Sequence, residues 1–147
     1  MAPQTISLLA SIALATMRFY LLTVALVCAP LAAAAEIQGH RGARGLWPEN
    51  SLAAFAGVLR LGVDVLELDT VLSKDDVVVV AHDAALNPNL VRNARGAWGS
   101  GLLPTFRQIN FADLQLLDIG RAKPLSPVAK RFPSQHGVDG ERFAQLE

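Results

Sequence analysis

Three short constellations in this sequence hold residue types able to do chemistry. His40-Arg41-Gly42 is followed closely by Pro48-Glu49-Asn50-Ser51, then come Glu67-x-Asp69 and His82-Asp83. Residues two apart on a strand point to the same side, so Glu67 and Asp69 are predicted to converge. Two carboxylates brought together in a partly buried place repel, and one is driven toward its neutral form. A hard divalent cation, Ca2+ or Mg2+, prefers oxygen ligands and removes that conflict, so the pair reads as half of a cation site. A cation beside two histidines and an arginine suits a phosphodiester. The metal stabilises charge on the attacking and leaving oxygens. Arg41 can grip two phosphate oxygens in a fork. The unperturbed imidazole pKa lies near neutrality, so His40 and His82 can divide the work of removing one proton and supplying another.

Each piece also has a plainer reading. A histidine at a strand end is often structural, a Glu-x-Asp pair is often a salt-bridged rim, and Pro-Glu-Asn-Ser is by itself a helix cap. Asp83 reads as a partner for a neighbouring backbone group more than as a ligand. His136, in a polar tail, reads as solvated and is given no role. Trp47 and Trp98 read as packing or substrate-rim residues.

The elements that must position these side chains follow from the pattern. Ile37 to His40 is a strand candidate ending in the first constellation. Arg44 to Asn50 is a loop. Asn50 or Ser51 can cap a helix from Leu52 to Leu61, with Leu52, Phe55, Val58 and Leu59 as its apolar face and Gly62 as its stop. Val63 to Leu72 reads as one strand and Ser73 to Asp76 as a turn. Val77 to Ala81 is an unbroken β-branched run of the kind found in parallel strands covered on both faces. Asn87 to Gly101 reads as a long loop. Asn110 caps a short helix carrying Phe111, Leu114 and Leu117. Beyond Gly120 the chain is polar and punctuated by proline. This order predicts an α/β class with one domain and no internal repeat.

Bulk composition narrows the function classes. The chain has 147 residues, with 13 basic and 13 acidic side chains and 52% apolar residues. A net charge of zero leaves no electrostatic footprint for nucleic acid or for an anionic membrane surface. The first 35 residues carry a single charge, Arg18. Met17-Arg18, the apolar run Phe19 to Cys28, the break at Pro30 and the small residues Ala33 and Ala35 form a signal peptide pattern. Cleavage is expected after Ala35, with residues 1–16 an upstream extension, leaving residues 36–147 as the functional domain. A retained anchor is disfavoured because Arg18 interrupts the apolar stretch. The only cysteine, Cys28, lies in the leader. The mature chain would hold no disulfide and no thiol nucleophile.

In this order and at these intervals, HRG, PENS opening an AF-containing helix, GVDVLELDTVLSKDD and VVVVAHD resemble the glycerophosphodiester phosphodiesterase family. The similarity is dense from Glu36 to Asp83 and looser through NFADLQLLDIG. The resemblance implies a TIM (β/α)8 barrel of the phospholipase C-like phosphodiesterase type. It implies hydrolysis of small-molecule glycerophosphodiesters to glycerol 3-phosphate and an alcohol. His40 and His82 would be the acid/base pair, Arg41 the phosphate-binding residue, and Glu67 and Asp69 metal ligands. Ca2+ is expected more than Mg2+, in a periplasmic or secreted protein without stable membrane association once the signal is cleaved. A barrel of this type takes about 250 residues, so residues 36–147 are expected to be its N-terminal part, incomplete. The family's third metal carboxylate, in a later E-x-K segment, has no counterpart after His82, and the chain alone is expected to fold poorly and turn over little or not at all. Two alternatives stand beside this reading. One is a non-catalytic phosphate-binding remnant, the other a related barrel phosphodiesterase such as a sphingomyelinase D.

Overall fold

The structure, a computed structural model, describes residues 13–21 and 35–147. The chain divides into two compact units, Met1–Ala35 and Glu36–Glu147. In the first, residues 13–21 are helical. Most of the expected leader, including residues 22–34, lies outside the described residues. Among the described residues no helix is long and apolar enough to cross a membrane.

The second unit opens with β1 (Gln38–Gly39), whose end delivers His40 and Arg41. Helix α1 follows (Leu52–Arg60), and of the two candidate caps Ser51 is the one used. Its hydroxyl accepts the Ala54 N–H at 3.1 Å and donates to the Pro48 carbonyl at 2.7 Å. The helix N-terminus takes a second acceptor from far along the chain, as Glu141 Oε2 accepts the Ala53 N–H at 3.2 Å. A negative group there also complements the helix dipole. The buried face differs from the one expected. Ala54, Gly57 and Val58 are covered, while Leu52 and Leu59 are exposed. The reason is Trp47, whose indole lies over Gly57 so closely that an added Cβ would fall 2.7 Å from it. A small residue, not a large one, marks the packed face.

The single strand predicted for Val63 to Leu72 is two. β2 (Val65–Leu66) pairs in parallel with β1, Gln38 against Val65 and Gly39 against Leu66. β3 (Thr70–Leu72) belongs to a separate two-stranded sheet. Glu67, Leu68 and Asp69 form the break between them, so the two carboxylates are placed by a crossing between sheets and not by strand alternation. β4 (Val78–Val80) pairs antiparallel with β3, Thr70 against Val80 and Leu72 against Val78. The valine run was expected to be a parallel strand, but the short turn at Ser73 allows only a hairpin return. Ser73 is fully buried; its hydroxyl accepts the Val77 N–H and meets the Asp75 carboxylate at 2.6 Å.

The other edge of β4 is covered by a segment that the polar tail does not announce. Val80 N–H donates to Ala144 O, Leu146 N–H donates to Val78 O, and Val79 bridges Gln145. Phe143 enters the core with its ring edge-on to Phe106 at 5.2 Å. Around them pack Val79, Ala81, Leu86, Val91, Leu114 and Ile119. The loop from Asn87 onward is tied down by paired backbone bonds between Arg92 and Asp118. Short helix α2 (Phe111–Leu114) has Asn110 at its cap position, but the first N–H bonds the Asp75 carboxylate at 2.9 Å instead.

Candidate active site

The site is built around Arg41. The chain leaves β1 through a run of left-handed residues, Arg41 at φ 51, Gly42 at φ 72 and Ala43 at φ 59, with Asn50 at φ 56 closing the loop. Non-glycine residues adopt this region at a cost, and such positions cluster at functional sites. Gly42 has a further reason to lack a side chain, since an added Cβ would sit 2.8 Å from the Ala54 methyl. The loop lies directly against the start of α1. The Asn50 N–H donates to the Arg41 carbonyl at 3.0 Å and holds its two ends together.

From this turn Arg41 reaches three acids. Its backbone N–H donates to Glu67 Oε2 at 2.8 Å, its NH1 donates to Glu49 Oε1 at 2.9 Å, and its Nε lies 3.1 Å from Asp69 Oδ2. Only 10% of the Arg41 side chain is exposed, so these pairs act in a low-dielectric setting. Arg44 pairs with the second Glu49 oxygen at 2.8 Å and lies over the Phe132 ring. His40 Nδ1 is 3.3 Å from Glu67 Oε2. Asn50 Nδ2 donates to Asp69 Oδ2 at 3.4 Å.

The structure thus brings His40, Arg41, Glu67 and Asp69 into one contact group. His82 stands in a second group, with its Nδ1 2.7 Å from Asp83 Oδ1. Asn87 Nδ2 donates to Asp83 Oδ2 at 3.0 Å. Among the described residues no hydrogen bond or ion pair joins His82 to His40 or to the Glu67–Asp69 pair. A cavity of about 40 Å³ is lined by Glu49 and Asn50 together with His82, Asp83 and Asn87, while His40, Arg41, Glu67 and Asp69 are not among its lining residues. Partial burial acts to raise the Asp83 carboxyl. Hydrogen bonds from His82 and Asn87, with the nearby charges of His82 and Arg41, outweigh it and hold Asp83 below the ordinary 3.8.

Asp83 therefore has side-chain partners where a backbone partner was expected. Glu49 and Asn50, part of the first constellation but given no chemical role from the sequence, contact Arg41, Arg44 and Asp69. The sequence signal for them was the Pro-Glu-Asn-Ser run beside two nearby arginines. Trp47 packs on α1, Trp98 stacks on Arg92, and His136 is exposed.

Among the described residues no three His, Cys, Asp or Glu side chains form a metal-binding group. The oxygens present nevertheless suit a hard cation. Glu67 and Asp69 each take their contacts on one oxygen, leaving Oε1 and Oδ1 without a donor among the described residues. Asn50 Oδ1 is buried and has no hydrogen-bond partner. Glu49, Glu67, Asp69 and Asp83 face only Arg41 and Arg44 as full positive charges in direct pairing, which leaves the group negative. Oxygen donors in a negative site are the environment Ca2+ and Mg2+ select.

Comparison with known proteins identifies the lineage. A model of the glycerophosphoryl diester phosphodiesterase family matches residues 40–147. The chain belongs to this family. The Bacillus subtilis (strain 168) protein YhdW is 35% identical over 112 residues, covering 69% of this chain and 42% of that protein. A crystal structure from Silicibacter pomeroyi DSS-3, provisionally named a glycerophosphoryl diester phosphodiesterase, superposes with a TM-score of 0.75 at 34% identity. It covers 78% of this chain and 38% of that one. An Oleispira antarctica phosphodiesterase in complex with the product sn-glycerol-3-phosphate gives a TM-score of 0.54 at 26% identity, covering 76% and 37%. These family members are TIM-barrel enzymes, and residues 36–147 form part of such a barrel. The chain spans about two-fifths of the length of these relatives.

Proposed function

We propose that this chain carries the acid/base and cation-binding part of a site that hydrolyses glycerophosphodiesters to glycerol 3-phosphate and an alcohol. The observation that carries the proposal is the Arg41 cluster with its spare carboxylate oxygens, whose members Glu49 and Asn50 share a small cavity with His82 and whose Arg41 charge acts on the Asp83 carboxylate. The product held by the Oleispira antarctica relative is the product this reaction would release. In the reaction, water adds to phosphorus as the bond from phosphorus to the leaving alcohol oxygen breaks. One imidazole of the His40 and His82 pair takes the proton from water, and the other gives a proton to the departing alkoxide. Arg41 orients the phosphate, its fork already fixed by Glu49. Glu67 and Asp69 would hold the divalent cation, Ca2+ in preference to Mg2+, with Asn50 beside them. That cation, when bound, stabilises negative charge on the phosphoryl oxygens. The leader-like first 35 residues support export to the periplasm or the medium.

Two carboxylates hold a cation weakly, so turnover by this chain alone is expected to be low and binding is the more sensitive readout. Ca2+ together with glycerol 3-phosphate should raise the melting temperature of the chain, and the Glu67→Gln/Asp69→Asn double variant should abolish that rise. Any glycerophosphocholine hydrolysis should fall about 100-fold or more in His40→Ala and in His82→Ala. A Ca2+ effect undiminished in the double variant, with hydrolysis indifferent to both histidines, would remove the proposal.

A further inference from the structure

His82 does not stand alone on its loop; it begins a chain of side-chain hydrogen bonds. Its Nδ1 meets Asp83 Oδ1 at 2.7 Å, and the other Asp83 oxygen accepts from Asn87 Nδ2 at 3.0 Å. Asn87 is anchored in turn, because its own Oδ1 accepts the Asn89 N–H at 3.0 Å. The Asn87 backbone carbonyl accepts from Leu90 and Val91, and Val91 is in the core. A carboxylate can only accept hydrogen bonds, so the imidazole nitrogen facing Asp83 must be the one carrying hydrogen. The lone pair is then on Nε2.

We propose that Asp83 and Asn87 are positioning residues that fix His82 as the Nδ1–H tautomer and present Nε2 as its proton-accepting atom. The proposal deepens the reading of His82 as half of the acid/base pair and rests on it. Asp83 has to accept on both oxygens at once. Asparagine there would turn an NH2 group on either His82 or Asn87, so one of the two contacts would be lost. Such an orienting carboxylate is how a base is held in a productive tautomer wherever a histidine works beside a third group. The two histidines differ in this respect. The carboxylate beside His40 is Glu67, 3.3 Å away and also bonded to the Arg41 N–H, whereas both Asp83 oxygens are taken by His82 and Asn87. The other charged groups near the cavity are Glu49, which Arg41 and Arg44 hold, and Arg121, which Asp139 holds. Among the described residues none of these makes a hydrogen bond or ion pair with His82.

Ring nitrogen shifts of the 15N-labelled chain at a pH above histidine titration separate the tautomers without any need for turnover. The His82 signals are assigned by their loss in His82→Gln. The native chain should show His82 mainly as Nδ1–H. Asp83→Ala should shift it toward Nε2–H, and Asn87→Ala should shift it part of the way, while the His40 signals stay put. A native His82 that is mainly Nε2–H overturns the proposal outright, whether or not any variant folds. So does an Asp83→Ala chain, its core methyl signals intact, in which His82 remains Nδ1–H. Loss of the Ca2+ effect described above would count against the cation site and leave this result standing.

Discussion

Arg41 is the residue on which most of the site depends, because one guanidinium and one backbone N–H hold three acids. Lysine keeps the charge but has a single ammonium, which cannot meet Glu49 and Asp69 together. Arg41→Lys should therefore lower stability by about 1–3 kcal/mol in urea denaturation and weaken glycerol 3-phosphate binding. An unchanged denaturation midpoint would mean that the buried pairs contribute nothing net, a known outcome for some buried ion pairs. That His40, Arg41, Glu67 and Asp69 come together was legible in the sequence because their types and spacing are specific. Glu49 and Asn50 stood in the first constellation but were given no chemical role, since a motif does not show that Arg41 and Arg44 turn back onto Glu49. Asp83 was assigned the wrong kind of partner, because a hydrogen bond between adjacent side chains depends on a bend that no periodicity reveals.

At the level of elements, the lesson lies in α1 and the valine hairpin. Large apolar residues were taken as the packed face of α1, yet the contact with Trp47 is made through Gly57. Gly57→Ala adds a methyl where an indole lies 2.7 Å from the new carbon. Ordinary helix propensity favours alanine by about 1 kcal/mol, so the sign of the change decides which effect wins. Overpacking should win, with a net loss of about 1–2 kcal/mol in the same denaturation measurement. Pairing it with Trp47→Leu should recover part of the loss. A Gly57→Ala chain more stable than native would show that Trp47 moves aside freely. The direction of β4 was misread for a related reason. Residue type distinguishes buried from exposed, but only the short Ser73 turn distinguishes antiparallel from parallel pairing. The strand break at Glu67 to Asp69 has only a weak compositional signal, because the strand-disfavoured Glu67 and Asp69 alternate with apolar residues as the exposed side of a half-buried strand would.

For the molecule as a whole, three aspartates, two of them tying distant segments and Asp83 bonding locally, share a common response to acid. In Asp75, hydrogen bonds from the Ser73 hydroxyl and the Phe111 N–H lower the carboxyl below 3.8. In Asp139, the hydrogen bonds of Arg121 and then Arg92 do the same. Asp83 is lowered as described above. A carboxylate whose folded value is depressed contributes stability that is complete above its unfolded value and is lost as pH falls through the folded one. The melting temperature should accordingly hold level above about pH 5 and drop as the pH falls below 4. Asp75→Asn should give a lower plateau and a shallower drop, measured by thermal melts across that range. A drop of undiminished size would assign acid sensitivity to other groups.

The cover on β4 has a bearing on how the protein is made. Residues 144–146 lie against a strand synthesised long before them. Contacts so distant in sequence form slowly, and a valine strand with one side open is a template for other chains. During translation, then, the hairpin of β3 and β4 has to wait unshielded until the segment carrying Phe143 emerges. A ribosome stalled before that segment would hold out a sticky ribbon, which makes this stretch the natural foothold for a chaperone.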